Sequence, residues 1–327
     1  MQNFSYDSPV SADAAIAAAA PQGSMYIAGG TDLMQLMKDN VSAPTRIVDI
    51  AGLKLTGIEA DAAHLRLAAL EQMSDVADHT GVKSNYPVVS QALLASASPQ
   101  LRNMGTMGGN MLQRTRCGYF RDTGSACNKR VPGSGCPAIA GRNRMLGILG
   151  TSDNCIATHP SDLAVALAAL DATVELRGSN AATRTVKLTD FHVLPGAAPQ
   201  HETVLQPGEL ITALTVQGAA PISAYLKVRD RASFEFAVVS VAVALDLQNG
   251  RIARARLAAG GVAPKPWRLA AVEAALAGQG TDDATLRAAA AHATAGAIPR
   301  SENAFKVKLL QNAVFRALKN TVAGGAP

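Results

Sequence analysis

The chain has 327 residues, of which 48% are hydrophobic and only 4% aromatic, with a formal charge of +5 and a pI near 9.1. This length excludes a single small domain and suits two or three compact units whose cores are built mainly from Ala, Val, Leu and Ile. The composition is that of an ordinary soluble protein, and a modest positive excess spread over such a length attracts anions without by itself indicating nucleic acid.

The N-terminus carries no basic n-region, and the Ala-rich run at 14–20 is too short and too weakly apolar for a signal or a membrane span. We therefore expect no export signal in this chain and no membrane insertion. The first unit, residues 1–52, reads as a helix at 12–20, a strand at 25–28, a glycine turn, a helix at 31–38 with Thr31 as N-cap, and a strand at 46–50. Such a step from strand through turn to helix aims backbone N–H groups at the space before the helix.

The second unit, residues 53–218, starts with a strand at 64–70 and helices at 73–79 and 87–96. It ends with a helix at 161–169, capped by Ser161 after Pro160, and strands at 172–177 and 210–217. Between these parts, residues 97–155 are rich in Gly, Arg, Asn and Cys without sustained periodicity, which predicts loops organised around something other than a core. The third unit, residues 219–327, has strands at 223–229, 237–246 and 251–260. Three helices follow, from Pro266 to near Gly278, from about Asp282, and from about Glu302 to Asn320. In the last, Phe305, Leu309 and Ala313 share the expected core-facing side.

Two glycine-bearing segments are candidates for binding a phosphorylated cofactor. In Ala28-Gly29-Gly30-Thr31-Asp32, two glycines between strand and helix let the backbone approach a phosphate closely. In Gly105-Thr106-Met107-Gly108-Gly109-Asn110, three glycines with a hydroxyl and an amide predict a flexible, donor-rich loop. Neither has Walker A or Rossmann spacing, and each alone could be a plain tight turn.

The four cysteines, Cys117, Cys127, Cys136 and Cys155, lie within 39 residues, which points to a local site rather than a disulfide framework. Their gaps fit neither zinc knuckles nor the tight runs of bacterial ferredoxins. Seven basic residues lie between Arg114 and Arg144 against the single acid Asp122. Cations there would offset the charge of an iron–sulfur cluster and lower thiol pKa values. Free buried thiols, structural zinc or two disulfides remain open on spacing alone.

The stretches Ala28 to Leu33, Gln100 to Asn110 and Pro160-Ser161-Asp162-Leu163 resemble, in order and spacing, the FAD-binding subunits of the xanthine dehydrogenase and carbon monoxide dehydrogenase family. The likeness runs from about residue 6 to 320. The segment holding Arg116-Cys117-Gly118-Tyr119-Phe120 and Pro132-Gly133-Ser134-Gly135-Cys136 is similar to the branch of periplasmic aldehyde oxidoreductases whose flavin subunit also binds [4Fe–4S]. The resemblance implies an α+β fold: a two-part FAD-binding fold of the vanillyl-alcohol-oxidase type, with an insertion around 112–156, and a C-terminal sheet-and-helices domain.

It implies FAD held by Tyr26, Ile27, Ala28, Gly29, Gly30, Thr31, Asp32, Leu33 and Met34, by Thr106, Gly108, Gly109 and Asn110, and by Asp162, Ile211 and Lys227. One [4Fe–4S] cluster would sit on Cys117, Cys127, Cys136 and Cys155. No residue would act as acid or nucleophile, and Glu235 is a further candidate to approach the flavin ring. Substrate, most simply an aldehyde, would be oxidised on a large molybdopterin-binding subunit, and electrons would cross a small [2Fe–2S] subunit to FAD and an external acceptor. The resemblance further implies a periplasmic site if the complex is exported folded on a partner's twin-arginine signal, and a cytoplasmic one otherwise. A hydroxybenzoyl-CoA reductase type subunit is the alternative within the class. A zinc-stabilised basic module binding nucleic acid is the alternative outside it, and it leaves the glycine loops unexplained.

Overall fold

The computed structural model describes residues 1–324 and shows three sheets flanked by helices, an α+β architecture. The first sheet is parallel, in the order Ser5–Asp7, Arg46–Asp49, Ser24–Ile27. Parallel neighbours need crossovers, and the helices Ala12–Ala19 and Leu33–Lys38 supply them. The second helix starts later than its sequence suggests. Thr31 is not its cap; Asp32 occupies that position without a capping bond, because its carboxylate is engaged by a distant loop.

The second sheet is antiparallel, in the order Ile58–Ala60, His64–Ala68, Leu210–Gln217, Thr173–Arg177, Thr183–Lys187. Its central strand, Leu210–Gln217, pairs with His64–Ala68 across a long excursion of the chain, and that excursion contains the irregular segment. There the expected loops hold three short helices, Pro99–Arg102, Met107–Met111 and Gly118–Arg121. All eight residues of the helix Asp162–Ala169 are buried. A helix apolar on every side must be covered on every side, and this one lies against Pro87–Ala95 and against the strands of the third sheet.

The third sheet is antiparallel, in the order Trp267–Arg268, Arg251–Gly260, Val239–Gln248, Ser223–Val228. Helices Ala270–Leu276, Asp283–Ala290 and Phe305–Val322 pack on it around Val241, Val243, Leu257, Leu310 and Val314. Two expectations change here. The stretch after Pro266 first forms an edge strand and turns helical only at Ala270. In the last helix Phe305 is 39% exposed, and the buried stripe runs through Lys306, Leu310, Ala313, Val314 and Ala317. The four-residue period is present but its phase is off by one residue, because Phe305 lies under the Arg144 guanidinium, 5.2 Å from its ring centre, rather than in the core. No helix among the described residues is long and apolar enough to cross a membrane.

Candidate functional site

A cavity of about 570 Å³ opens where the first sheet, the second sheet and the buried helix meet. Its size and mixed lining suit a large organic ligand. The turn after Ser24–Ile27 forms one wall. Gly29 there touches the second glycine segment so closely that a Cβ would lie 1.7 Å from the Met104 carbonyl oxygen, and Gly30 adopts φ +68°. The backbone N–H groups of Gly29, Gly30, Thr31 and Asp32 find no acceptor among the described residues. A run of unpaired N–H donors bordering a cavity is what a pyrophosphate requires.

The second glycine segment behaves differently from its sequence expectation. Gly105 N–H donates to Leu101 O at 2.8 Å, Met107 N–H to Glu71 O at 3.0 Å and Gly108 N–H to Ala69 O at 2.8 Å. Gly109 N–H donates to Thr106 Oγ1 at 3.3 Å, and the Asn110 amide is engaged by Ser161 Oγ and Met73 Sδ. These donors serve the fold, so the segment contributes closeness and shape. A Cβ on Gly108 would sit 3.1 Å from that of Ala69, which fixes the loop against the sheet.

Tyr26, Ile27, Ala28, Gly29, Gly30, Thr31, Asp32 and Leu33 all line the cavity, as do Thr106, Gly108, Gly109, Asn110, Asp162, Ile211 and Lys227. Met34 does not. It lies behind the turn, its Cγ 3.3 Å from the point where Gly30 would carry a Cβ. Tyr26 donates its hydroxyl to Gly208 O at 2.8 Å, and burial pushes its pKa up to about 12.

Asp162 is bound by three donors: Tyr225 Oη at 2.6 Å, Ser96 Oγ at 2.9 Å and Lys227 Nζ at 2.7 Å. Its side chain is 6% exposed and that of Lys227 4%. A buried carboxylate must be paired and hydrogen-bonded, and this one is saturated. Burial, with Asp162 next to it, pushes the Tyr225 phenol well above its usual range. Asp32 is anchored similarly: it accepts from Arg114 N–H at 2.8 Å and from the Arg121 guanidinium at 2.9 Å, and it pairs with Arg116 at 2.9 Å. Both acids therefore build the wall rather than present free carboxylates to a ligand.

The cavity also takes in Arg116, Phe234, Glu235 and Phe236, of which only Glu235 was expected from the sequence. Arg116 stacks 4.9 Å from the Phe236 ring centre, and burial lowers its pKa to about 10 although Asp32 opposes the shift. Phe234 holds φ +50°, an unusual conformation for an aromatic residue. Glu235 pairs with Arg231 at 3.0 Å. The neighbour of Arg116, Cys117, was the available signal for this wall, since the two must lie beside each other.

The four thiols are free and share one small void with Phe120, Lys129 and Ala138. Cys117 and Cys155 are buried, and Cys127 and Cys136 half-buried. The expected electropositive surroundings are largely neutralised. Arg114 and Lys129 pair with Glu202, Arg116 and Arg121 with Asp32, and Arg144 with Asp230, while Arg130 donates to the Tyr119 and Phe120 carbonyls. Burial then wins: it raises the Cys117 and Cys136 thiols and lifts Cys155 to about 11, with Lys129 pulling back only in part. No group of three or more His, Cys, Asp or Glu among the described residues is gathered closely enough to chelate one metal ion.

Residues 2–216 match the family described as the FAD binding domain in molybdopterin dehydrogenase, and residues 223–321 match the CO dehydrogenase flavoprotein C-terminal domain. Among curated relatives, the aldehyde oxidoreductase FAD-binding subunit PaoB of Escherichia coli (strain K12) is 47% identical over 97% of this chain and 98% of its own. The glyceraldehyde dehydrogenase medium chain of Sulfolobus acidocaldarius is 28% identical over 85% of this chain and 82% of its own. Among solved structures, a carbon monoxide dehydrogenase from Hydrogenophaga pseudoflava superposes with a TM-score of 0.77 at 24% identity, covering 98% of both chains, a likeness of fold.

Proposed function

Because the chain belongs to the family of FAD-binding subunits of molybdopterin dehydrogenases, we propose that it is the flavin- and iron–sulfur-carrying relay subunit of a heterotrimeric aldehyde oxidoreductase. The observation that carries this reading is the 47% identity, across 97% of the chain, to an aldehyde oxidoreductase subunit. In that complex a large molybdopterin-binding partner would convert the aldehyde to its carboxylic acid. A small [2Fe–2S] partner would pass the electrons on, and an external acceptor would collect them. Export of the folded complex on a partner's twin-arginine signal belongs to the same proposal, and cell fractionation tests it.

The cavity fits FAD on its own chemistry, through the unpaired N–H groups of the turn and the closeness that Gly29 and Gly108 permit. Bound there, FAD supplies the junction between one-electron carriers and a two-electron acceptor. The residues from Gly29 to Asp32 would bind the pyrophosphate, Asp32 holding that turn to the cysteine segment through Arg114, Arg116 and Arg121. Lys227 and Asp162 neutralise each other, which keeps the wall polar and fixed without adding net charge.

Support for a [4Fe–4S] cluster is the gathering of four free thiols around one void in an otherwise aperiodic segment. A single zinc ion, with Zn–S bonds of about 2.3 Å, would draw its sulfurs within about 4 Å of one another, whereas a cubane spreads them further. Cys117, Cys127, Cys136 and Cys155 would hold the cluster, which supplies a one-electron store beside the flavin. The deciding measurement is a visible spectrum of the anaerobically purified complex, with iron, zinc and FAD quantified on the same sample. We expect FAD with about four irons above the [2Fe–2S] complement, and Cys155→Ser should lose those irons and keep the flavin. FAD without the extra iron would sink the cluster, and a colourless chain would sink the whole reading.

A further inference from the structure

Two small cavities lie behind the flavin wall. One, of about 50 Å³, shares Arg116, Pro160, Asp162 and Phe236 with the large cavity and also reaches His159 and Ser240. The other, of about 30 Å³, is bordered by His159, His192, Lys129 and Glu202. His159 is common to both. An internal water needs roughly 10–15 Å³ and two to four polar partners. Both spaces are large enough, and both have polar atoms waiting: His159 Nε2, His192 Nδ1 and Ser240 Oγ are buried and have no partner in good hydrogen-bond geometry among the described residues, although the Met111 carbonyl lies near His159 and the Tyr225 hydroxyl near Ser240.

The bonds already made fix the character of the free nitrogens. His159 Nδ1 accepts from Ser161 N–H at 3.4 Å, so in the neutral ring its Nε2 carries the proton and is a donor. His192 Nε2 lies 2.9 Å from the Met111 carbonyl oxygen, so it donates there and its Nδ1 is left as an acceptor. The ring centres are 4.3 Å apart. One unfilled donor and one unfilled acceptor lining the same space are complementary to a water molecule. Burial holds both rings neutral: it presses His159 far below its usual range, with His192 adding to the effect, and His192 down to about 4. Lys129 and Arg116 act on His159 in the same sense, while Glu202 and Lys265 act on His192 in opposite senses. At the outer end Glu202, 29% exposed, pairs with Lys129 at 3.0 Å and meets solvent.

We propose that these cavities hold a file of ordered waters, seated on His159, His192 and Ser240, that carries protons from the surface at Glu202 to the flavin cavity. Flavin reduction needs such a supply. FAD becomes FADH2 by taking up two electrons and two protons; iron–sulfur centres, or dithionite in an assay, give electrons alone, and the protons come from solvent water. Waters hydrogen-bonded in line pass a proton along by exchanging O–H bonds, each losing one proton as it gains another.

The test uses the full chain loaded with FAD. Its crystal structure at high resolution should show a water between His159 Nε2 and His192 Nδ1 and another at Ser240. In His192→Phe the ring fills the inner space and removes the acceptor. Dithionite reduction of its flavin should slow by about a hundredfold or more, the scale of a lost proton-transfer route. The solvent isotope effect should exceed that of the parent chain, and flavin content should be unchanged. Ser240→Ala, a small change on a strand, should slow reduction in the same direction and decides the matter if His192→Phe does not fold. Dry cavities, or rates and isotope effects equal to the parent's, would overturn the proposal. A parent chain without a visible flavin band would instead overturn flavin binding itself.

Discussion

Asp162 and Lys227 have almost no contact with solvent, and each is the other's counter-ion. Removing one partner of a buried pair strands the other charge, which costs about 3–5 kcal/mol. Lys227→Met should therefore lower unfolding stability by that amount in denaturant titrations, and adding Asp162→Asn should recover most of it. At Gly29 steric contact dominates instead of charge. A methyl group there would meet the Met104 carbonyl at 1.7 Å, so Gly29→Ala must push the two glycine segments apart. FAD titration of that variant should show strongly weakened binding, while far-ultraviolet circular dichroism stays close to that of the parent. The turn was legible in the sequence because its glycines are consecutive and flanked by a strand and a helix. Asp162 was legible as a helix-start residue, but its three donors come from Ser96, Tyr225 and Lys227, on separate elements that no local pattern connects.

The helix Asp162–Ala169 shows what a sequence conveys about an element and what it omits. Its start was readable from Ser161, whose hydroxyl accepts from Ala164 N–H at 2.9 Å. The same hydroxyl also reaches Asn110 in the second glycine segment. Ser161→Ala should cost about 1–2 kcal/mol from the lost cap and should also weaken FAD binding, measured by thermal melts with and without added flavin. Its complete burial was less visible, since an apolar run reads alike whether one face or all faces are covered. The last helix illustrates the reverse error: the period was right, but Lys306 lies on the inner stripe and donates to the Leu146 and Gly261 carbonyls at 3.0 and 2.7 Å. A lysine counts as polar in any periodicity, so a core position held by one is invisible to it. Residues 97–155, expected to be organised by something other than a core, in fact gather Cys117, Phe120, Ala138, Leu146 and Cys155 into a small apolar cluster with Leu36 and Val41, which no periodicity announces. Two of the short helices inside them start on local signals, Ser98 capping Leu101 N–H ahead of Pro99 and Thr106 capping Gly109 N–H, whereas Gly118–Arg121 has no side-chain cap.

Across the whole molecule, His159 and His192 make stability depend on pH. Their folded pKa values lie below the unfolded value of 6.5, with His192 near 4. Between those values the unfolded chain binds protons that the folded chain refuses. Stability is therefore full above about pH 6.5 and falls as pH drops toward 4; His192 alone accounts for about 3 kcal/mol, and His159 adds to it in the same direction. Urea midpoints measured from pH 8 to pH 4 should show this slope, and His192→Phe should make it shallower by the part due to His192 while that of His159 stays. Carboxylates such as Glu175, held below their usual range by Arg66, lose their contribution only at still lower pH.

The cysteine segment is closed by parts of the chain made much later. Asn143 N–H donates to Glu302 Oε2 at 2.9 Å and Glu302 N–H to Asn143 Oδ1 at 2.9 Å, while Ile148 N–H donates to Val262 O at 2.8 Å and Ile298 N–H to Ile148 O at 2.7 Å. This gives maturation a direction. A nascent chain that has not yet released residue 302 lacks the partner of Asn143 in both of its bonds to Glu302. The cysteine segment therefore gains its last backbone fastenings only when the third unit docks, although the thiol void itself is lined by residues of the segment alone.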